Sequence, residues 1–415
     1  MKEEQNKINR RHFLKTIGAA GVGSVFVSAK TIAGPNDLNA VDPNAPKEEQ
    51  KPEFPQVPRR KLGKTGVDIP CLSLGSGAPE DAAVLRKALD WGVNYWDTSY
   101  VAAGGNSELG IGRYLSKNPE VRKKLFIVTK ESDSKTPADL EKCLRTSLER
   151  MNTSYVDLYI GVYIMSDPAK LTDELRQWVK SAKERKLIRF FGFSTHKNTA
   201  KCLAAAAKLD WIDAIVTAYN FRLMQNPQMQ AAVEACHKAG IGLIAIKTQA
   251  HGQKFETEED KKLVRHFQQR GFTDGQAKIK VVLEDKRFSS ACVAMNNVAL
   301  LTSNVAAVLD KTKLTQADTK AFRKYAQATC SGYCAGCAQI CDSALPDVPY
   351  VSDIMRYLMY YNSYGQQKEA RELFAKIPGT VRNKLLSIDY SLAEARCPQH
   401  MPIGKLVAEA VSKLA

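Results

Sequence analysis

Four thiols fall within twelve residues, at Cys330, Cys334, Cys337 and Cys341, and a fifth arrives much later as Cys397-Pro398. Thiolates gathered by a short loop and completed by a distant Cys-Pro hold ferredoxin-type iron–sulfur clusters, the remote cysteine ligating the cluster begun by the first three. The gaps here are three, two and three residues, so the first loop is one residue longer than in the bacterial run. No second four-cysteine run surrounds Cys397. The pattern therefore points to one [4Fe-4S] cluster, with Cys330, Cys334, Cys337 and Cys397 as ligands and Cys341 as a spare or an alternate. A structural zinc site also accepts four thiolates, and an exported chain can join its cysteines as disulfides. The other five, Cys71, Cys143, Cys202, Cys236 and Cys292, lie inside apolar segments and read as small core residues.

A second set of reactive types closes short apolar runs. Asp97 and Tyr100, Lys130, Val162 and Tyr163, Ser194 and His196, Tyr219 and Asn220, and Lys247 each stand at or just beyond such a run. A carboxylate, a lysine, phenols and an imidazole brought to one place would handle protons, and an Asp beside a Lys tunes both the amine and any neighbouring phenol. The elements that must position them are β-rich runs at 69–74, 93–97, 125–130, 156–162, 188–193, 214–218, 241–247 and 290–295, separated by amphipathic helical patterns. Eight strand-and-helix units over about 250 residues suit an α/β chain folded as a (β/α)8 TIM barrel, whose chemistry lies at the C-terminal ends of its strands. A doubly wound open sheet is the alternative, disfavoured because no Gly-x-Gly-x-x-Gly follows a first strand. The expected organisation is 1–33 as a signal, 34–58 as a Pro-rich linker, 59–310 as the barrel and 311–415 as a small C-terminal helical iron–sulfur domain.

The formal charge is +16, and about a quarter of it sits in residues 1–33. The remainder is spread along mixed helices with no arginine-rich arm and no aromatic-plus-basic motif, so nucleic acid is not an expected partner. Asn9-Arg10-Arg11-His12-Phe13-Leu14-Lys15, followed by a Gly/Ala-rich apolar stretch, has the form of a twin-arginine export signal. The fourteen residues between Lys15 and Lys30 are too few for a membrane-spanning helix, which needs roughly 20. A periplasmic or otherwise extracytoplasmic protein is expected. That route carries folded proteins, which suits a cluster built before export.

The segments Arg60-Lys-Leu-Gly-Lys-Thr-Gly66, Asn94-Tyr-Trp-Asp-Thr-Ser99, Asn106-Ser-Glu-Leu-Gly110, Ile127-Val-Thr-Lys130, Tyr155-Val-Asp-Leu-Tyr159 and Phe191-Gly-Phe-Ser194 together resemble the aldo-keto reductases over about residues 59–310. The tail resembles the helical iron–sulfur extension of one bacterial branch, with Ala393 to Ile403 (AEARCPQHMPI) typical of its end. The resemblance implies hydride exchange between a nicotinamide and a small carbonyl or alcohol, sugar-like compounds included, through an Asp, Tyr, Lys, His tetrad. Asp97 and Lys130 fall on the family's Asp and Lys, but its tyrosine and histidine positions hold Ala102 and Val162. A hydrocarbon side chain cannot protonate an alkoxide. Tyr100 is the first candidate substitute, Tyr163 comes one residue late, and His196 opens the helix after strand five on the same mouth. Ser194, Lys247 and Asn304 fall on cofactor positions for NADP(H), whereas the loop after strand eight carries no Lys or Arg for a 2′-phosphate and Val216 replaces a glutamine. Three functions follow: an exported redox enzyme passing electrons through its cluster to a redox partner protein; a degenerate barrel kept for electron transfer or binding; and a conventional NADPH reductase with relocated Tyr or His.

Overall fold

The computed structural model describes residues 54–75, 81–131, 134, 136–253 and 257–415. The expected twin-arginine segment at 1–33, and the linker up to residue 53, lie outside the described residues. Alternation of apolar side chains along the β-rich runs builds a barrel. Strands β3 (Leu72–Leu74), β4 (Tyr95–Asp97), β5 (Phe126–Lys130), β6 (Val156–Val162), β7 (Ile188–Thr195), β8 (Ala214–Ala218), β9 (Gly242–Ile246) and β10 (Phe288–Val293) pair in parallel, and β10 returns to β3 to close the ring. Tyr95, Phe126, Val128, Leu158, Ile160, Val216, Ile244 and Cys292 fill its interior. The alternate positions Trp96, Ile127, Tyr159, Phe191 and Ile215 are buried on the outer face. Burial on both faces is why these strands read as nearly continuous apolar runs.

Helices α1 (Ala82–Asp90), α2 (Asn106–Lys117), α3 (Pro137–Arg150), α4 (Asp173–Glu184), α5 (Thr199–Ala206), α6 (Pro227–Lys238), α7 (Glu258–Gln269), α8 (Asp274–Glu284) and α9 (Val298–Leu309) form the outer layer. Capping boxes start α3, α7 and α8: Thr136 with Asp139, Thr257 with Asp260, and Thr273 with Gln276. In each, the N-cap hydroxyl and the third-position side chain satisfy backbone N–H groups that the helix leaves open.

The run at 69–74 is two strands, not one. A hairpin of β1 (Arg59–Lys61) and β2 (Asp68–Pro70) precedes β3. Pro70 brings no N–H to a ladder, and the Cys71 amide turns to the Pro58 carbonyl at 2.8 Å. This hairpin closes the N-terminal end of the barrel, because Leu62 and Ile69 belong to the interior cluster. Gly63 makes the approach possible: its φ is +51°, and a Cβ there would stand 2.2 Å from the Gly240 carbonyl oxygen.

Beyond the barrel come α10 (Gln316–Ala328), α11 (Ala338–Ala344), α12 (Val351–Ser363), α13 (Gln367–Ala375), α14 (Gly379–Arg382), α15 (Ser391–Arg396) and α16 (Ile403–Leu414). Their apolar faces share a core of Ile354, Leu358, Phe374, Leu385, Val407 and Ala410, among others. Barrel and tail belong to one compact unit. Among the described residues no helix is long and apolar enough to cross a membrane.

Candidate functional site at the barrel mouth

Asp97 ends β4 and Lys130 ends the neighbouring β5, so the parallel ladder puts them side by side. The Lys130 ammonium donates to the Asp97 carboxylate and, at 2.8 Å, to the Thr98 carbonyl. They are only 5% and 3% exposed, and opposite charges buried this deeply persist only as a bonded pair.

The candidate proton donors are placed differently from one another. Arg150 donates to the Tyr100 carbonyl at 2.8 Å and stacks over the Tyr100 ring at 4.5 Å from its centre. The same guanidinium pairs with Glu108, which is fully buried and accepts from Thr129 Oγ1 at 2.6 Å. Tyr100 thus belongs to a network on the flank of the mouth. Ala102 lies in the short turn Ala102–Gly105, and Val162 closes β6. Tyr163, the next residue, has its phenol pushed far up, first by burial and then by Tyr360, Glu369 and Asp97, with Arg356 opposing. That phenol stays protonated at neutral pH. His196 is buried and its imidazole is held well below the usual range, first by burial and then by the charges of Arg356, Lys247 and Lys197. It is neutral at pH 7.

The tail lies on this mouth. The Cys334–Cys337 loop meets the end of β7: a Cβ on Gly336, whose φ is +77°, would stand 2.2 Å from the His196 carbonyl oxygen. Asn198 donates its backbone N–H to the Gly336 carbonyl at 2.7 Å, and Lys197 pairs with Asp353 of α12 at 2.7 Å. From the loop after β8, Asn220 donates to the Tyr333 hydroxyl at 3.0 Å. Arg222 reaches the Ala250 and Ala326 carbonyls and the Thr329 hydroxyl, with the rings of Tyr325 and Tyr333 about its guanidinium. From the loop after β9, the Gln253 side chain donates to the Met355 carbonyl at 2.6 Å, and Ser363 donates to the Gly252 carbonyl at 2.6 Å.

Cys334, Cys337, Cys341 and Cys397 line one cavity of about 20 Å³, together with Ala335, Val351, Met355, Met401 and Ile403 among its walls. Cys341, expected as the alternate, is on that wall, and Cys330, expected as a ligand, is not. All ten cysteines are free thiols. Burial and the neighbouring thiols push Cys337 up to about 11 and Cys341 up to about 12. Among the described residues no three His, Cys, Asp or Glu side chains converge closely enough to hold a single metal ion.

The three cofactor positions fare unequally. Ser194 Oγ accepts from the Ile164 amide at 3.1 Å. Lys247, at a φ of +56°, has its ammonium 4.3 Å from the Tyr360 ring centre and 4.9 Å from that of Tyr364, so the tail occupies its surroundings. Asn304 is buried on α9, and its Nδ2 has no partner among the described residues. Sequence reasoning missed Arg222 and Arg356. The available signal for Arg356 was a lone charge inside the otherwise apolar Ile354-Met355-Arg356-Tyr357-Leu358-Met359 stretch.

A model of the aldo/keto reductase family matches residues 73–328. An aldo-keto reductase of Schizosaccharomyces pombe, whose name specifies NADP(+), is 27% identical over 219 residues, which is 47% of this chain and 62% of that protein. The chain thus spans less than two thirds of the length of this relative. The solved structure of an aldo-keto reductase from Bacillus halodurans in its holo form matches at 18% identity with a TM-score of 0.54, covering 65% of this chain and 96% of that one. This second likeness is one of fold.

Proposed function

The chain belongs to the aldo/keto reductase family, and from that premise we propose that it is an exported oxidoreductase whose barrel works on a small alcohol or carbonyl compound, sugar-like ones included, and exchanges electrons through one [4Fe-4S] cluster. The observation that carries this reading is the single cavity ringed by Cys334, Cys337, Cys341 and Cys397, on a loop pressed against His196 at the barrel mouth. Four free thiols lining one cavity supply the ligand set that such a cluster takes. In this assignment Cys341 takes the role that spacing gave to Cys330. The paired arginines at 10 and 11 support the export step.

When bound, such a cluster supplies one-electron transfer. Converting an alcohol to a carbonyl would release two electrons and two protons, twice what one such cluster carries, so an acceptor of the redox-partner class would have to take both electrons in turn. The protein's part is proton handling and exclusion of water. Lys130, fixed by Asp97 and the Thr98 carbonyl, holds a positive charge where a substrate hydroxyl would ionise. Tyr163, which with core-buried Tyr95 is within electrostatic reach of Asp97, takes the place of the missing tyrosine as proton carrier. Neutral His196 and the phenols of Tyr360 and Tyr364 roof the mouth with polar groups and little water.

A second reading, NADP(H) held at Ser194, Lys247 and Asn304, is favoured by the unpartnered Asn304 amide. It fits less well at Lys247, where the tail stands.

The test is iron, sulfide and absorption analysis of purified protein, with a nucleotide assay of its heat-released supernatant. Cys334→Ser, Cys337→Ser, Cys341→Ser and Cys397→Ser should each abolish the brown chromophore, and Cys330→Ser should keep it. Full iron in any of the four removes that residue from the ligand set. Colourless, zinc-loaded wild type ends the reading, and stoichiometric NADP in the supernatant promotes the second.

A further inference from the structure

Arg356 is 8% exposed, and its guanidinium has no carboxylate within ion-pair distance among the described residues. Its one hydrogen bond is donated from Nη2 to the His196 carbonyl at 2.8 Å. Burying a cation without an anion is costly enough that such a group is normally paired. Two nearby cations obey that rule, buried Lys130 with Asp97 and partly buried Lys197 with Asp353, whereas buried Arg222 is answered by two carbonyls and a hydroxyl. What surrounds Arg356 instead is the thiol of Cys334 and the phenols of Tyr333, Tyr360 and Tyr364. The guanidinium also stands 3.5 Å from where a Gly336 Cβ would be, inside the Cys334–Cys337 loop.

We propose that Arg356 is the counter-cation of the four-thiolate centre and the residue that fastens that centre to the barrel rim at His196. This rests on the cluster reading above. Four thiolates around an iron–sulfur cube leave a net negative charge, which a cation buried beside Cys334 stabilises. Adding an electron increases that negative charge. A fixed positive group therefore favours the reduced form, and its removal lowers the potential. Because the same Nη2 bonds the His196 carbonyl, the charge of the centre acts on a strand end of the mouth through one side chain. Arg356 is a positioning and tuning residue here, acting through the cluster and His196, with no contact to substrate claimed for it.

The experiment is an anaerobic redox titration of iron-loaded protein with dithionite as the electron donor, for wild type, Arg356→Gln and Arg356→Lys. Arg356→Gln should lower the reduced-to-oxidised ratio at a fixed potential by about tenfold, which is about 59 mV for one electron, while Arg356→Lys stays closer to wild type. An unchanged potential in fully loaded Arg356→Gln overturns the proposal. Thermal unfolding covers the case in which both variants lose iron. Arg356→Met should leave the melting temperature of iron-free protein unchanged or raised and should lower that of iron-loaded protein, because only the loaded form supplies the anion. A fall of the same size in both forms also overturns it. Failure of the cluster reading is separable, since wild type would then contain no iron and sulfide to titrate.

Discussion

The two ends of the barrel are closed by different means. At the N-terminal end the plug is apolar, Leu62 and Ile69 from the β1–β2 hairpin, and the charges around it are answered at close range. Asp157 is fully buried, pairs with Arg189 at 2.6 Å and Arg122 at 3.0 Å, and accepts from the Ile127 amide at 2.9 Å. At the C-terminal end the cover is a tail carrying Arg356 with no carboxylate, phenols packed over Lys247, and four free thiols round a cavity. Satisfied charge and apolar filling make stability. A buried group left without its usual partner marks a place where something else is to be bound or moved.

Substitutions at the two ends test whether the closures are independent. At the mouth, Tyr163→Phe should lower turnover of a sugar-alcohol panel, assayed with ferricyanide as acceptor, by about 10² to 10⁴ with an unchanged unfolding midpoint, while Tyr100→Phe leaves the rate near wild type. A slow Tyr100→Phe would move the acid to the flank network with Arg150. At the opposite end, Asp157→Ala strands two arginines and should cost about 3 to 5 kcal/mol in denaturant unfolding without loss of iron. Leu62→Ala should cost about 2 to 5 kcal/mol, again with full iron content. Iron loss in either would mean that the two closures are not independent.

In the loop after β9, at the C-terminal end, sits His251, whose ring meets Tyr364 of the tail at 5.3 Å between centres. Burial first, then Lys278, lowers its pKa to about 4. The folded imidazole binds a proton less readily than the unfolded one. Its stabilising contribution is therefore complete above the ordinary histidine range and is lost as pH falls from about 6.5 towards 4, by about 3 kcal/mol at most. His251→Gln should flatten that part of the stability profile, and an identical slope would assign the acid loss elsewhere. Smallest of all, Arg176→Ala removes an exposed pair with Asp210 and should change stability by about 1 kcal/mol or less.

The barrel was legible because its strands, buried on both faces, read as short apolar runs separated by amphipathic helical patterns. Asp97 and Lys130 were legible for the same reason: each closes an apolar run, and parallel pairing then makes them neighbours. The hairpin was not, since 69–74 reads as one apolar stretch and only Pro70 hints at the break. Nor was the docking of the tail on the mouth. It depends on Arg222, Gln253 and Gly336 meeting partners roughly 100 to 140 residues away in the chain, contacts that leave no local period. Choosing between Cys330 and Cys341 likewise required three dimensions. Spacing allows either, and only the turn into α11 carries the fourth thiol to the cavity wall.

The tail is fastened to the loops after β7, β8 and β9, and none of the hydrogen bonds described above ties it to the loops after β4 or β5. On that other flank Val101 and Leu109 stand 43% and 40% exposed. Among the described residues the cover is thus fastened to one side of the rim, which gives an otherwise radially repetitive scaffold a front and a back.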